Sequence, residues 1–189
     1  WAHASIVDGM ILSKATSRFF RHNNVEDLER KLSGFNGKKL VIVEGVYSMD
    51  GDMPPLRDIV AVAKKHGARV MIDEAHSAFV FGDNGRGVVE ELDLDEEVDI
   101  HLGTFSKSLG GQGGYTAGSL KLINYLRGFS RSRFFSCALA PTVVAGVLAA
   151  LRLAKAEPQL RTRLWDNVRF MKAKLDGYGV PTGVSASQV

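Results

Sequence analysis

Lys107 stands in the string Gly103-Thr-Phe-Ser-Lys-Ser108, just ahead of Gly110-Gly-Gln-Gly-Gly114. A lysine amine attacks a carbonyl carbon only after losing its proton, which burial and cationic neighbours promote. The glycines let a flat ligand come close to the backbone, and Thr104 and Ser106 offer hydroxyls beside it. Alone, Lys107 reads as one more solvated lysine. Asp73 closes the apolar run Val70-Met-Ile72, and His76 lies three residues on. Asp73 and His76 could be a loop-capping pair, or charged ligands in a cleft. In the second case the carboxylate could pair with the ring nitrogen of pyridoxal, keeping it protonated so that the ring draws electrons. Glu44 opens Glu44-Gly-Val-Tyr-Ser-Met-Asp-Gly-Asp52, which sets acids and the Ser48 hydroxyl around a glycine turn. His3 could stack on a pyridine face or be purely structural.

These residues need elements to hold them. Leu40-Val-Ile-Val43 reads as a strand buried on both faces. Leu56 to His66 has one apolar helical face, and Gly67 follows as a helix-ending residue. Val70 to Ile72 is the next strand and Val98 to Leu102 a third. Gly114 to Gly118 is a fourth, followed by a helix over Ser119–Gly128. From Pro141 the chain is mostly helical, with segments over Thr142–Lys155 and Gln159–Leu175. Short apolar runs alternating with amphipathic stretches predict an α/β fold, with a mostly parallel sheet flanked by helices. Strand–Glu44…Ser48, strand–Asp73…His76 and strand–Thr104…Lys107 then deliver their polar residues at strand C-termini, where open α/β sheets bind ligands.

The chain has 189 residues, 45% of them hydrophobic and 24% charged, with 20 glycines. That is enough for one sizeable core. No apolar run approaches the roughly 18 residues of a membrane helix, and no signal peptide opens the sequence. A net charge of +3 with scattered basic residues does not suggest nucleic acid. The single cysteine, Cys137, excludes an internal disulfide; it suggests a reducing, cytoplasmic setting and reads as a small buried apolar residue. No metal is expected. Gly110 to Gly114 lacks the GxGxxG spacing of a dinucleotide loop and follows a lysine rather than opening a helix. Both ends look cut, so the chain reads as an excerpt of a longer protein. Residues 1–155 would be a large domain, and residues 156–189 a connecting helix with the start of a small C-terminal domain.

The sequence resembles the α-oxoamine synthases, fold-type I pyridoxal-phosphate enzymes that condense amino acids with acyl-CoA thioesters. The matching strings are His3-Ala-Ser-Ile-Val-Asp-Gly9, Glu44 to Asp52, Asp73-Glu-Ala-His-Ser77, Gly85-Arg-Gly87 and Gly103 to Ser108. The resemblance implies that Lys107 carries the cofactor and moves protons at the substrate Cα. It implies that Asp73 partners the pyridine nitrogen, His3 stacks on the ring and His76 lies near the ring oxygen. Ser48 would touch the cofactor, Thr104 its phosphate, and Glu44 the substrate side. It further implies an amino acid and an acyl-CoA or acyl-carrier thioester as substrates, usually with decarboxylation, and a homodimer with a shared active site.

Within the family, Gly103 to Ser108 and Arg21-His22-Asn23 most resemble serine palmitoyltransferases. The alternatives are 8-amino-7-oxononanoate synthase, glycine C-acetyltransferase, 5-aminolevulinate synthase, or a non-catalytic partner subunit, against which the presence of Lys107 argues. Neither a phosphate clamp nor a substrate-carboxylate arginine is expected here; Arg131 and Arg133 read as solvated or at the dimer face. One departure stands out. Where the family has glycine two residues after Asp73 to Ser77, Phe79 stands here, and it could narrow the substrate pocket.

Overall fold

The computed structural model describes all 189 residues, Trp1–Val189. Helices α1 (Ala4–Ser13) and α2 (Val25–Ser33) precede β1 (Lys39–Glu44), α3 (Leu56–Lys65) and β2 (Ala68–Asp73). The single turn α4 (Val88–Glu91) leads to β3 (Ile100–Thr104) and β4 (Gly114–Gly118). Four helices follow: α5 (Leu120–Phe129), α6 (Arg131–Phe134), α7 (Pro141–Ala156) and α8 (Gln159–Gly177).

The β-branched runs pair into one sheet in the order β1-β2-β3-β4. β1 with β2 and β2 with β3 are parallel, whereas β4 returns antiparallel to β3. The expected α/β architecture with a mostly parallel sheet is therefore present. Register brings the chemistry level: Glu44 pairs with Asp73, and Asp73 with Leu102. The ladder runs one step further, through Gly45 N–H to Asp73 O and Glu74 N–H to Leu102 O, each 2.8 Å.

The third strand starts later than the sequence suggested. Asp99 is used at its mouth instead: its carboxylate accepts from Val70 N–H at 2.8 Å, and its own N–H donates to Val70 O at 3.0 Å.

Leu28 and Leu32 of α2 and Ile59, Val60 and Ala63 of α3 join Val41, Val43, Val70 and Ile72 in one buried cluster. Each large side chain so buried contributes on the order of 1.5–3 kcal/mol. The expectation that β1 is buried on both faces is not met, since Leu40 on its other face is 48% exposed. β1 is the edge of the four-stranded sheet, and α2 and α3 form part of the same cluster as its buried face. Trp165 of α8 packs edge-on to Phe81, centroids 5.1 Å apart, and donates Nε1–H to Val80 O at 3.0 Å. No helix is long and apolar enough to cross a membrane.

Candidate active site

The C-terminal ends of β1, β2 and β3 open onto a cavity of about 960 Å³, lined among others by His3, Glu44, Asp73, His76, Thr104 and Lys107. Six of the seven residues singled out from sequence thus share one cavity. Ser48, half-buried in the turn after β1, is not among its lining residues.

Lys107 sits on the β3–β4 loop. That loop is closed by Phe105 N–H to Gly113 O at 2.9 Å and Gly111 N–H to Phe105 O at 2.7 Å. Thr104 Oγ1–H donates to Gly113 O at 3.1 Å, so the hydroxyl expected at a phosphate also braces the loop. Gly110 and Gly113 take left-handed φ values of 60° and 94°, a conformation that costs a residue with a Cβ roughly 1–2 kcal/mol. Ser108 Oγ–H donates to Ala78 O at 3.1 Å, tying this loop to the turn after β2. The exposed Lys107 side chain then places Nζ 3.2 Å from His76 Nε2.

Asp73 is buried, and its carboxylate accepts a hydrogen bond from Ala75 N–H at 2.9 Å. Burial pushes its pKa up, opposed by that N–H and by the nearby His3, His76 and Lys107. Burial, and then the Lys107 charge, holds His76 below the ordinary histidine value. A neutral imidazole can accept an N–H from Lys107. Glu44 is also buried; burial raises its pKa and the neighbouring Asp73 adds to the rise, while the His3 N–H lowers it. His3 caps α1: its Nδ1 accepts from Ser5 N–H at 3.3 Å and hydrogen-bonds Ser5 Oγ at 2.7 Å.

Two sequence expectations, for Cys137 and Phe79, need correction. Cys137 is exposed, not buried, and lines the cavity. Arg133 is exposed, as its solvated reading expects, and also lines the cavity, with Nη1 donating to Arg127 O at 2.9 Å. Phe79 does not narrow the cavity. It sits behind the turn in a left-handed conformation, φ 68°, with its N–H donating to Gly85 O at 2.7 Å.

Tyr115 was missed. It pairs with Gly103 across β3 and β4, lies against Phe105 with centroids 5.7 Å apart, and lines the cavity. The Gly103–Tyr115 cross-strand pair follows from strand spacing only once β4 is known to be antiparallel. Outside the cavity, His22, Asp50 and Asp52 bring potential metal-ligand atoms within 4.8 Å of one another. There Asp52 Oδ2 is already engaged by His22 Nε2 and Asn23 Nδ2, each at 2.8 Å, which braces the start of α2 against the loop after β1.

The family model for aminotransferase class I and II matches residues 1–188. The 8-amino-7-oxononanoate synthase of Thermosipho melanesiensis is 42% identical over 189 residues, covering 99% of this chain and 48% of the relative. The 8-amino-7-oxononanoate synthase 1 of Bacillus subtilis is 45% identical over 180 residues, 94% of this chain and 46% of the relative. The chain thus spans about half the length of the curated relatives it matches. A serine palmitoyltransferase of Sphingomonas wittichii has a TM-score of 0.92 at 41% identity, covering 97% of this chain and 47% of the other. Both kinds of relative are α-oxoamine synthases, the group that the sequence motifs resemble. With the family model matched along nearly its whole length, the chain belongs to the aminotransferase class I and II family.

Proposed function

We propose that this chain forms the cofactor-binding part of a pyridoxal-phosphate-dependent acyltransferase of the α-oxoamine synthase type. It would join an amino acid to an acyl-CoA or acyl-carrier thioester, usually with loss of CO2. One observation carries the reading: Lys107 Nζ lies 3.2 Å from His76 Nε2 in the cavity that the buried Asp73 carboxylate also lines. The relatives named 8-amino-7-oxononanoate synthase and serine palmitoyltransferase support it.

The residues present fit pyridoxal phosphate. Asp73 is a buried carboxylate paired with no lysine or arginine side chain, and a protonated ring nitrogen would supply the missing cation. The β3–β4 loop beside it packs closely: a Cβ on Gly113 would run into Leu139, and one on Gly114 into the Gly103 carbonyl. Lys107 would hold the cofactor through Nζ, Asp73 would hold its ring nitrogen, His3 would lie on the ring, and His76 near its ring oxygen. Thr104 would meet the phosphate, with Ser48 as a further contact. When bound, the cofactor supplies an electron sink for a carbanion at the amino-acid Cα.

The chain's own residues supply the rest. Asp73 keeps a proton on the ring nitrogen, since loss of that proton would leave a carboxylate buried without a partner. Lys107 Nζ removes and returns the Cα proton, with His76 Nε2 orienting it. Glu44 serves the substrate side by fixing His3. We also assign residues 1–155 to a cofactor-binding domain and 156–189 to a connecting helix and the start of a smaller one. The protein is proposed to be a cytoplasmic homodimer with a shared site.

The test is a visible absorption spectrum of the full-length protein with pyridoxal phosphate, before and after adding glycine, alanine or serine singly. A long-wavelength band that is lost in Lys107→Ala and shifts with one amino acid is the expected result, and that amino acid is the substrate. A serine response would match the serine palmitoyltransferase resemblance. No band in the wild-type protein, with borohydride fixing no label on Lys107, would overturn the reading in favour of a non-catalytic partner.

A further inference from the structure

Between Asp73 and His76 lies a residue that faces the other way. Glu74 is 2% exposed and does not line the cavity. Its Oε2 accepts from Val88 N–H at 3.0 Å and from the Ser77 hydroxyl, and its Oε1 accepts from Val89 N–H at 3.1 Å. No lysine or arginine pairs with it; burial raises its pKa, and the hydrogen bonds from Ser77, Val89 and Val88 oppose that rise.

Its main chain is equally engaged. Glu74 N–H donates to Leu102 O at 2.8 Å, and Glu74 O accepts from Ser77 N–H at 3.1 Å and Ala78 N–H at 2.8 Å. The turn that carries His76 therefore closes on Glu74 by both backbone and side chain.

The surroundings are cut to fit this carboxylate. A Cβ on Gly87, whose φ is 111°, would overlap it, and a Cβ on Gly45 would overlap Glu74 Oε2 and Ser77 Oγ. One side chain thus bonds the turn after β2 to the entry of α4, with the exit of β1 packed closely against it.

We propose that Glu74 is a positioning residue for the reaction, setting Asp73 and His76 in place relative to Lys107. The proposal rests on the function assigned above. Glu74 touches neither substrate nor cofactor. It acts by fixing the direction of the residues on either side of it, which a Glu74→Gln side chain of the same shape cannot do. A glutamine amide turned toward Val88 or Val89 N–H sets donor against donor.

The experiment uses the full-length enzyme and compares Glu74→Gln, Ser77→Ala and a core control, Ile59→Val or Ile59→Ala, chosen to match their loss of melting temperature. Ile59 lies in α3 within the buried cluster. We expect kcat in Glu74→Gln to fall about 10- to 100-fold, as displacements of about 1 Å at a reacting centre do. The amino-acid KM should change less than about threefold, and the pH profile of the cofactor band should shift. Ser77→Ala should move the same readouts in the same direction by a smaller factor, and it decides the matter if Glu74→Gln does not fold. The matched control should keep both kcat and the pH profile.

Glu74 or Ser77 variants that lose no more kcat than the matched control, with an unmoved pH profile, would overturn the proposal and leave the functional reading standing. A wild-type protein with no cofactor band would overturn both together.

Discussion

The main-chain N–H of His3 donates to Oε1 of Glu44 at 2.6 Å, across 41 residues of sequence. The start of α1 is thereby fastened to the end of β1, and an exposed imidazole takes its place over the cavity from a buried carboxylate. Glu44 pairs in register with Asp73, so the two acids hold adjacent stations on the same rim.

Glu44→Ala should therefore weaken cofactor binding roughly tenfold or more, the usual effect of losing a hydrogen bond to a charged group. Glu44→Gln keeps an oxygen acceptor for the His3 N–H and should stay near wild type. Titration of the visible band against pyridoxal phosphate measures both. Equal affinities in wild type and Glu44→Ala would show that His3 is held by other means.

Gly103 and Tyr115 make a second pair with a sharp expectation. A Cβ on Gly103 would overlap the Tyr115 ring. Gly103→Ala should destabilise the protein by about 1–3 kcal/mol, the usual cost of overpacking. Adding Tyr115→Ala opens the space, so the double variant should lose less than the sum of the two singles. Urea midpoints of the four proteins give the coupling; strict additivity would mean that the ring does not rest on Gly103.

Phe79 holds a left-handed backbone without being glycine. Phe79→Gly relieves that conformation and Phe79→Ala does not, while both lose the ring. The glycine variant should be the more stable of the two by about 1 kcal/mol. Denaturant unfolding that ranks alanine above glycine would contradict the strain.

Much of this was legible in the residues, for a physical reason. Asp73 and Glu44 end apolar β-branched runs, and polar residues at such ends reach the open edge of a parallel sheet. Lys107 is marked by Gly110 and Gly113, which take the backbone conformations that its loop demands. What stayed hidden depends on long-range packing. That Leu40 is exposed follows from which face the helices cover, and periodicity alone does not report it. Cys137 differs from its reading because its residue type favours burial, whereas the segment after α6 leaves it exposed at the cavity. Glu74 escaped because two of its three partners, Val88 and Val89, are backbone groups that leave no side-chain signature, and the third, Ser77, reads as part of the same turn.

Acid should find a weak point at His101 on β3. Burial lowers its pKa from the ordinary 6.5, with Asp95 opposing and Arg86 assisting. A folded-state pKa below the unfolded one means that the unfolded chain takes up the proton first as the pH falls. Stability is then full above about 6.5 and drops as the pH falls through that value toward the folded pKa; His76 acts in the same direction. Melting temperatures between about pH 7 and pH 5 should decline less steeply in His101→Gln than in wild type. An identical slope would remove His101 from the account.

The register of β1, β2 and β3 carries a last consequence, which concerns quality control during synthesis. Side chains alternate along a strand, so a slip of one residue between β1 and β2 would send Asp73 or Glu44 to the opposite face of the sheet. If β1 slips, the chain could still bury Leu40 and Ile42 in place of Val41 and Val43 and remain compact. It would nonetheless lack the Glu44 carboxylate at the cavity, and with it the anchor of the His3 N–H. Cofactor uptake in a freshly refolded sample therefore counts correctly paired molecules, whereas light scattering or helix content would score slipped and native chains alike.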